Sequence, residues 1–166
     1  MPDSLYETDA LAWAERQADL LRRLAHGERL NETIDWPHVI DEVQDVGLSQ
    51  LNACESLLAQ AVIHLLKLHL APNSRPAAHW RGEVATFLAD AQRRFSPSMR
   101  QRISMPALYA EALSRLRSEA KGKRSPRLPE TCPFGLDDLL TRDPDVMALM
   151  AMVEAAAPGK QANHGG

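Results

Sequence analysis

The strongest constraint in the sequence is a long apolar run near its middle, residues 49–70, which holds LLAQAVIHLLKLHL and stops before Pro72 and Asn73. At 100° per residue, Leu51, Cys54, Leu58, Ala61, Val62, Leu65 and His69 share one face, with Leu57, Leu66 and Leu68 on its shoulders. As a helix the segment is roughly 33 Å long at 1.5 Å per residue. A face that wide needs several neighbours to cover it. Gln60, His64, Lys67 and His69 interrupt the run, so it reads as a core helix rather than a membrane span, which needs about 18 apolar residues in a row.

The neighbours are helices too. Aromatics make up 5% of the 166 residues, β-branched residues are sparse, and no alternating run sits beside a hairpin dipeptide, so strands have no signal. The expected fold is all-α: an antiparallel bundle of about five main helices with short C-terminal helices. One helix is expected over residues 9–25, capped by Thr8 or Asp9, with Leu11, Ala14, Ala18, Leu21 and Ala25 inward and Gly27 past its end. Another is expected over 37–46, with Pro37 at its start, Gly47 as its stop, and Val39, Ile40, Val43 and Val46 inward. After the central helix come residues 77–95, with Trp80, Val84, Phe87, Leu88, Ala91 and Phe95 inward, and residues 106–120, with Leu108, Tyr109, Ala112, Leu113 and Leu116 inward. A basic, proline-punctuated loop crosses the surface after Gly122, ahead of short helices over 136–140 and 144–157. A chain of this length suits a single helical domain, residues 1–157, with 158–166 as a flexible tail.

Composition excludes more than it names. Nineteen basic and 22 acidic residues give a net charge of −3, so whole-chain charge points to no partner. The distribution is uneven: residues 1–60 carry 4 bases and 12 acids, whereas residues 93–127 carry 10 bases and 2 acids. One reading is internal complementarity, with the basic fifth helix packed beside the acidic first and second. The other is a phosphate-binding stripe made by Arg115, Arg117, Lys121, Lys123, Arg124 and Arg127. That stripe lacks interleaved aromatics for base stacking, because Phe95 and Tyr109 are expected inward. Two cysteines, Cys54 and Cys132, are too few for a disulfide framework and fit a reducing compartment. The first dozen residues are acidic and have no export pattern, so the expected location is cytoplasmic and no membrane partner is expected.

Few residues are arranged for chemistry. His38, Asp41, Glu42 and Asp45 share a polar helix face, where one histidine and three carboxylates could hold a divalent metal; the plainer reading pairs His38 with Glu42 one turn on. His64 and His69 point about 140° apart and cannot share a metal. His69 is expected to bond a backbone carbonyl and His64 a neighbouring carboxylate. Nothing near Cys54 or Cys132 lowers a thiol pKa, and no nucleophile elbow or phosphate loop occurs. Trp13, Trp36 and Trp80 are expected as core anchors. No catalytic residue and no cofactor are assigned.

Several segments in order, Tyr6-x-x-Asp9 with Trp13 and Gln17, IDW at 34–36, DEVQDVG at 41–47, HLLK at 64–67, Trp80, SPS at 96–98, Tyr109 and CPFGLDDLL from 132, together resemble the bacterial family known as domain of unknown function 29. The resemblance runs to about Leu140. It implies a small all-α bacterial protein and brings no activity or cofactor with it. It marks Trp13, Glu42, Gly47, His64, Lys67, Trp80 and Cys132 as family-type positions. The chain departs from the family pattern at VGLSQ (46–50), where a leucine-glycine-arginine-serine-glutamate run is more usual, and at Gly135, in place of a capping hydroxyl residue.

The first reading is therefore a non-enzymatic interaction or adaptor module that engages an unknown protein partner or a second copy of itself, with the Met/Ala-rich C-terminal helix as the leading contact or, more plainly, as a lid on the bundle. Nucleic-acid binding through the basic stripe ranks second. A metal-assisted enzyme built on His38, Glu42 and His64 ranks third.

Overall fold

The computed structural model describes residues 5–119 and 127–158, and every regular element among them is helical. Seven α-helices run in order: α1 (Leu5–Thr8), α2 (Ala10–Ala25), α3 (Trp36–Leu70), α4 (Ala77–Arg94), α5 (Met105–Glu119), α6 (Leu136–Leu139) and α7 (Val146–Ala156), with a 3-10 turn at Pro97–Gln101. They group into two compact units, Met1–Ser49 and Gln50–Gly166, and the backbone of α3 runs through the boundary. None of the described helices is long and apolar enough to cross a membrane.

In the first unit, α2 opens where Asp9 caps it, its carboxylate accepting from the Ala12 N–H at 3.0 Å. The helix ends before Gly27, whose φ of +79° is the left-handed value that a C-terminal glycine supplies. Its buried residues are Trp13, Gln17 and Leu20, a face rotated from the expected Leu11 stripe, and Leu11 is 72% exposed. Hydrogen bonds set that rotation: Trp13 and Gln17 both reach Asp35, so α2 turns a polar anchor inward instead of a leucine.

Residues 37–46 and 49–70, expected as two helices parted at Gly47, form one helix of 35 residues. A glycine stops a helix by taking a left-handed φ, and Gly47 does not. Kept in the helix interior it costs only about 1 kcal/mol relative to alanine, too little to break a helix whose later turns are buried. The expected inward face of this N-terminal half is corrected as well. Every residue from 40 to 50 is exposed, Val39 is half-buried, and Trp36 is not a core anchor.

The second unit has the apolar core. Cys54, Leu58, Ala61, Val62, Leu65, Leu66 and Leu68 of α3 have essentially no exposed surface, in agreement with the periodicity of the run. Near its end α3 meets the beginning of α4, where His64 contacts Glu83 and Phe87; earlier it meets the end of α4, where the Cys54 thiol donates to the Ala91 carbonyl at 3.6 Å. These two helices are thus antiparallel. Lys67 meets Glu119 at the end of α5, so α5 returns in the direction of α3. The Tyr109 hydroxyl donates to the Pro129 carbonyl at 2.7 Å, and Leu128, Pro129 and Phe134 are buried; the segment after the basic connector is therefore part of the core and does not merely cross the surface. Asp145 caps α7, which inserts Leu149 and Val153 into the core and leaves Met147 exposed. Trp80, Phe87 and Phe95 pack half-buried against the core's edge.

Candidate interaction surface

One carboxylate organises the first unit. Asp35 Oδ2 accepts from Trp13 Nε1 at 3.0 Å and lies 2.7 Å from His38 Nδ1, while the Asp35 N–H donates to Gln17 Oε1 at 2.9 Å. Tyr6 stacks on the His38 ring at 4.0 Å, presents its edge to Trp13 at 4.8 Å, and donates its hydroxyl to Glu42 Oε1 at 2.7 Å. The cluster ties α1, α2 and the start of α3 together. Hydrogen bonding from His38 holds the Asp35 carboxyl below its ordinary value, and the bond to Glu42 raises the Tyr6 phenol. His38 therefore pairs with Asp35 and not with Glu42, which serves Tyr6. No three His, Cys, Asp or Glu side chains among the described residues are placed to hold a metal ion together. Tyr6, Gln17 and Asp35 are visible in the sequence only as motif letters.

The network uses one side of α3 and leaves the other side bare. Trp36, Val39, Ile40, Val43, Val46 and Gly47 fall within a single stripe at 100° per residue. Trp36 is 48% exposed, Ile40 52%, Val43 70% and Val46 68%, and a Cβ added at Gly47 would meet nothing within 4 Å. Solitary apolar residues on a surface are ordinary, whereas four large ones in register over three turns form a patch.

The other marked residues lie in the second unit and are occupied there. His64 has Nδ1 at 2.8 Å from the Gln60 carbonyl and Nε2 at 3.0 Å from Glu83, whose second oxygen faces His79 at 3.3 Å. It makes the backbone contact expected of His69 as well as the carboxylate contact expected of itself. Lys67 meets Glu119 at 3.3 Å. The Cys132 thiol points to the Phe134 carbonyl at 3.3 Å, and burial raises its pKa, as burial does for Cys54; neither environment favours a thiolate. A cleft of about 350 Å³, not anticipated from the sequence, opens between α3 and α5, lined in part by Asn52, Glu55, Ser56, Glu111 and Arg115.

Of the basic stripe, Arg115 is paired with Glu111 at 2.5 Å, Arg117 and Arg127 are exposed, and Lys121, Lys123 and Arg124 lie outside the described residues. Two further arginines of the basic third are also paired, Arg93 with Asp90 and Arg100 with Asp137 at 2.8 Å. These carboxylates all belong to the second unit, so the described partners of the basic third are local and not the acids of the first two expected helices.

No curated protein matches the chain. Among solved structures it is similar to an α-helical protein of unknown function from Rhodospirillum rubrum, at 28% identity and a TM-score of 0.63, over 88% of this chain and 95% of that one. The model of the family "Domain of unknown function DUF29" matches residues 5–144, which takes in the Asp35 network, the bare stripe and the His64–Glu83 contact. The chain belongs to that family.

Proposed function

We propose that this protein is a binding module and that its working surface is the N-terminal half of α3. The observation that supports this reading is the exposed stripe of Trp36, Ile40, Val43 and Val46, held on a helix whose start is fastened to α1 and α2 by hydrogen bonds of Glu42 and Asp35. Leaving an apolar side chain in water forgoes about 25 cal/mol for each Å² that burial would remove. A partner that covers the stripe recovers that free energy, and the helix is already formed before the partner arrives. The Met/Ala-rich α7 is the weaker candidate surface, since Leu149 and Val153 commit it to the core as a lid. Nucleic-acid binding has less support, because three arginines of the basic third are already paired with carboxylates. A reducing, cytoplasmic setting fits the two free thiols.

The test is a double substitution, Ile40→Ser with Val43→Ser. Expected is an unfolding free energy within about 0.5 kcal/mol of the parent's, as for ordinary surface changes, together with loss of binding to amphipathic helical ligands. Destabilisation by about 2 kcal/mol or more would mean that the stripe is packed in the folded protein, and the reading would fail.

A further inference from the structure

We infer that the stripe pairs with the same stripe of a second copy of this chain. The two N-terminal halves of α3 lie antiparallel, with Trp36 of each copy over Gly47 of the other. The inference rests on the binding-module reading above and names the partner. Trp36, Ile40, Val43 and Gly47 follow one another at intervals of four, three and four residues, the spacing of a coiled-coil seam. This seam is also symmetric about its own middle, between Asp41 and Glu42: reversing the chain direction there exchanges Trp36 with Gly47 and Ile40 with Val43. A twofold contact requires that self-complementarity, since each residue meets in the other copy the residue that meets it.

Size decides the direction of the pairing. In a parallel pair each residue meets its own counterpart, so Trp36 crowds Trp36 and a gap opens between the two Gly47 residues. In the antiparallel pair the bulkiest side chain of the seam lies over the residue that has none, and a Cβ added at Gly47 meets nothing within 4 Å in a single chain. Facing layers fill best when large is set against small. One chain thus carries both halves of the match.

Charge does not oppose the contact at close range. At 100° per residue, Asp41, Glu42 and Asp45 all fall on the half of the helix turned away from the seam, and Glu42 is taken by Tyr6. The borders of the seam are uncharged, with Val39 and Val46 on one side and Pro37, Gln44 and Leu48 on the other. A twofold axis across the helices sets each border against the same border of the second copy, so Val46 lies beside Val39. At the observed exposures, Trp36, Ile40, Val43 and Val46 offer about 100 Å² each, so two copies bury roughly 1,000 Å² once the borders are included. That is the lower limit of a specific interface, and the dimer so described is reversible.

The experiment is sedimentation equilibrium of the full chain over about 1–500 μM, at about 50 and 300 mM salt. Expected is a monomer–dimer equilibrium in the micromolar range that tightens as salt rises. Residues 1–60 carry 4 bases and 12 acids, so two such halves repel at long range until salt screens them. Gly47→Leu and Trp36→Ala should each weaken the dimer at least tenfold, the first by filling the space and the second by emptying it. The double variant returns bulk to the other end of the same layer and should recover most of the affinity. Val43→Ser, at a side chain 70% exposed in the single chain, should leave the fold intact and abolish dimerisation. A dimer indifferent to Gly47→Leu and Val43→Ser overturns the inference, as does a double variant no better than the single ones, or a dimer that loosens as salt rises. A chain that stays monomeric at the highest concentration also overturns it. The binding-module reading stands if that monomer still binds amphipathic helical peptides and loses them with Ile40→Ser and Val43→Ser; if it binds none, both fall.

Discussion

Residues 5–49 and residues 50–158 solve the problem of holding helices together by different means. Of the thirty buried apolar residues in the described chain, only Trp13, Leu20 and Ile34 lie before residue 50; eight of the ten exposed large apolar residues also lie there. The second region is held by apolar burial, with a core that extends from Leu51 to Val153. The first is held by directed contacts around Asp35, with Gln17 as the buried polar residue among those described. A hydrogen-bonded unit needs little apolar surface for its own cohesion, so its leucines and valines remain available to others. The contrast separates a region that coheres by apolar burial from one that coheres by directed bonds and keeps apolar surface exposed.

Leu65→Ala should produce the largest effect, a loss of about 2–5 kcal/mol in chemical denaturation, because the side chain is wholly buried and a cavity would remain. A loss below about 1 kcal/mol would break the comparison, since the second region would then not depend on packing. The first region should instead answer to protons. The Asp35 carboxyl sits below its ordinary 3.8 because His38 bonds to it, so its contribution is complete above pH 3.8 and disappears as pH falls through the lowered value. Glu28, lowered by Arg23, acts in the same direction. Acid titration monitored by near-ultraviolet dichroism of Trp13 should lose signal in that window, and Asp35→Asn should flatten the pH dependence. The smallest expected effect is a gain. Gly47→Ala should stabilise α3 by about 0.5–1 kcal/mol in thermal unfolding, because alanine is the better helix former and the added Cβ meets nothing. A loss of stability there would show that Gly47 is needed for packing within the chain.

Much of the fold is legible from periodicity and caps. Asp9 before α2, Pro97 after α4, and the Leu58, Val62 and Leu65 face of α3 are readable, because a period of 3.6 and a capping carboxylate are local properties of the chain. What periodicity cannot supply is the identity of the neighbour. Val39, Ile40, Val43 and Val46 do share a face, as their spacing requires, yet three of the four point to solvent and Val39 is half-buried. On α2, the inward side is decided by a bond from an indole to a carboxylate 22 residues away, which no helical wheel contains. The family motif is informative in another way: Tyr6, Trp13, Gln17, Asp35 and Glu42, scattered along the sequence, converge on one network. Gly47 looks like a stop in the sequence and is not one, because glycine punctuation depends on φ, and the buried turns beyond it keep φ helical.

Every residue of α3 from Ile40 to Gln50 is exposed, with Glu42 bonded to Tyr6 along one side, although the same backbone continues into the core. Standing alone, eleven residues would not sustain a helix in water, since about 12–15 are needed even for favourable sequences. Their amide hydrogens are consequently shielded only by the winding of the chain itself and should trade for deuterium well before those between Leu58 and Leu68. The clock that such exchange provides would slow whenever another molecule lay along those turns.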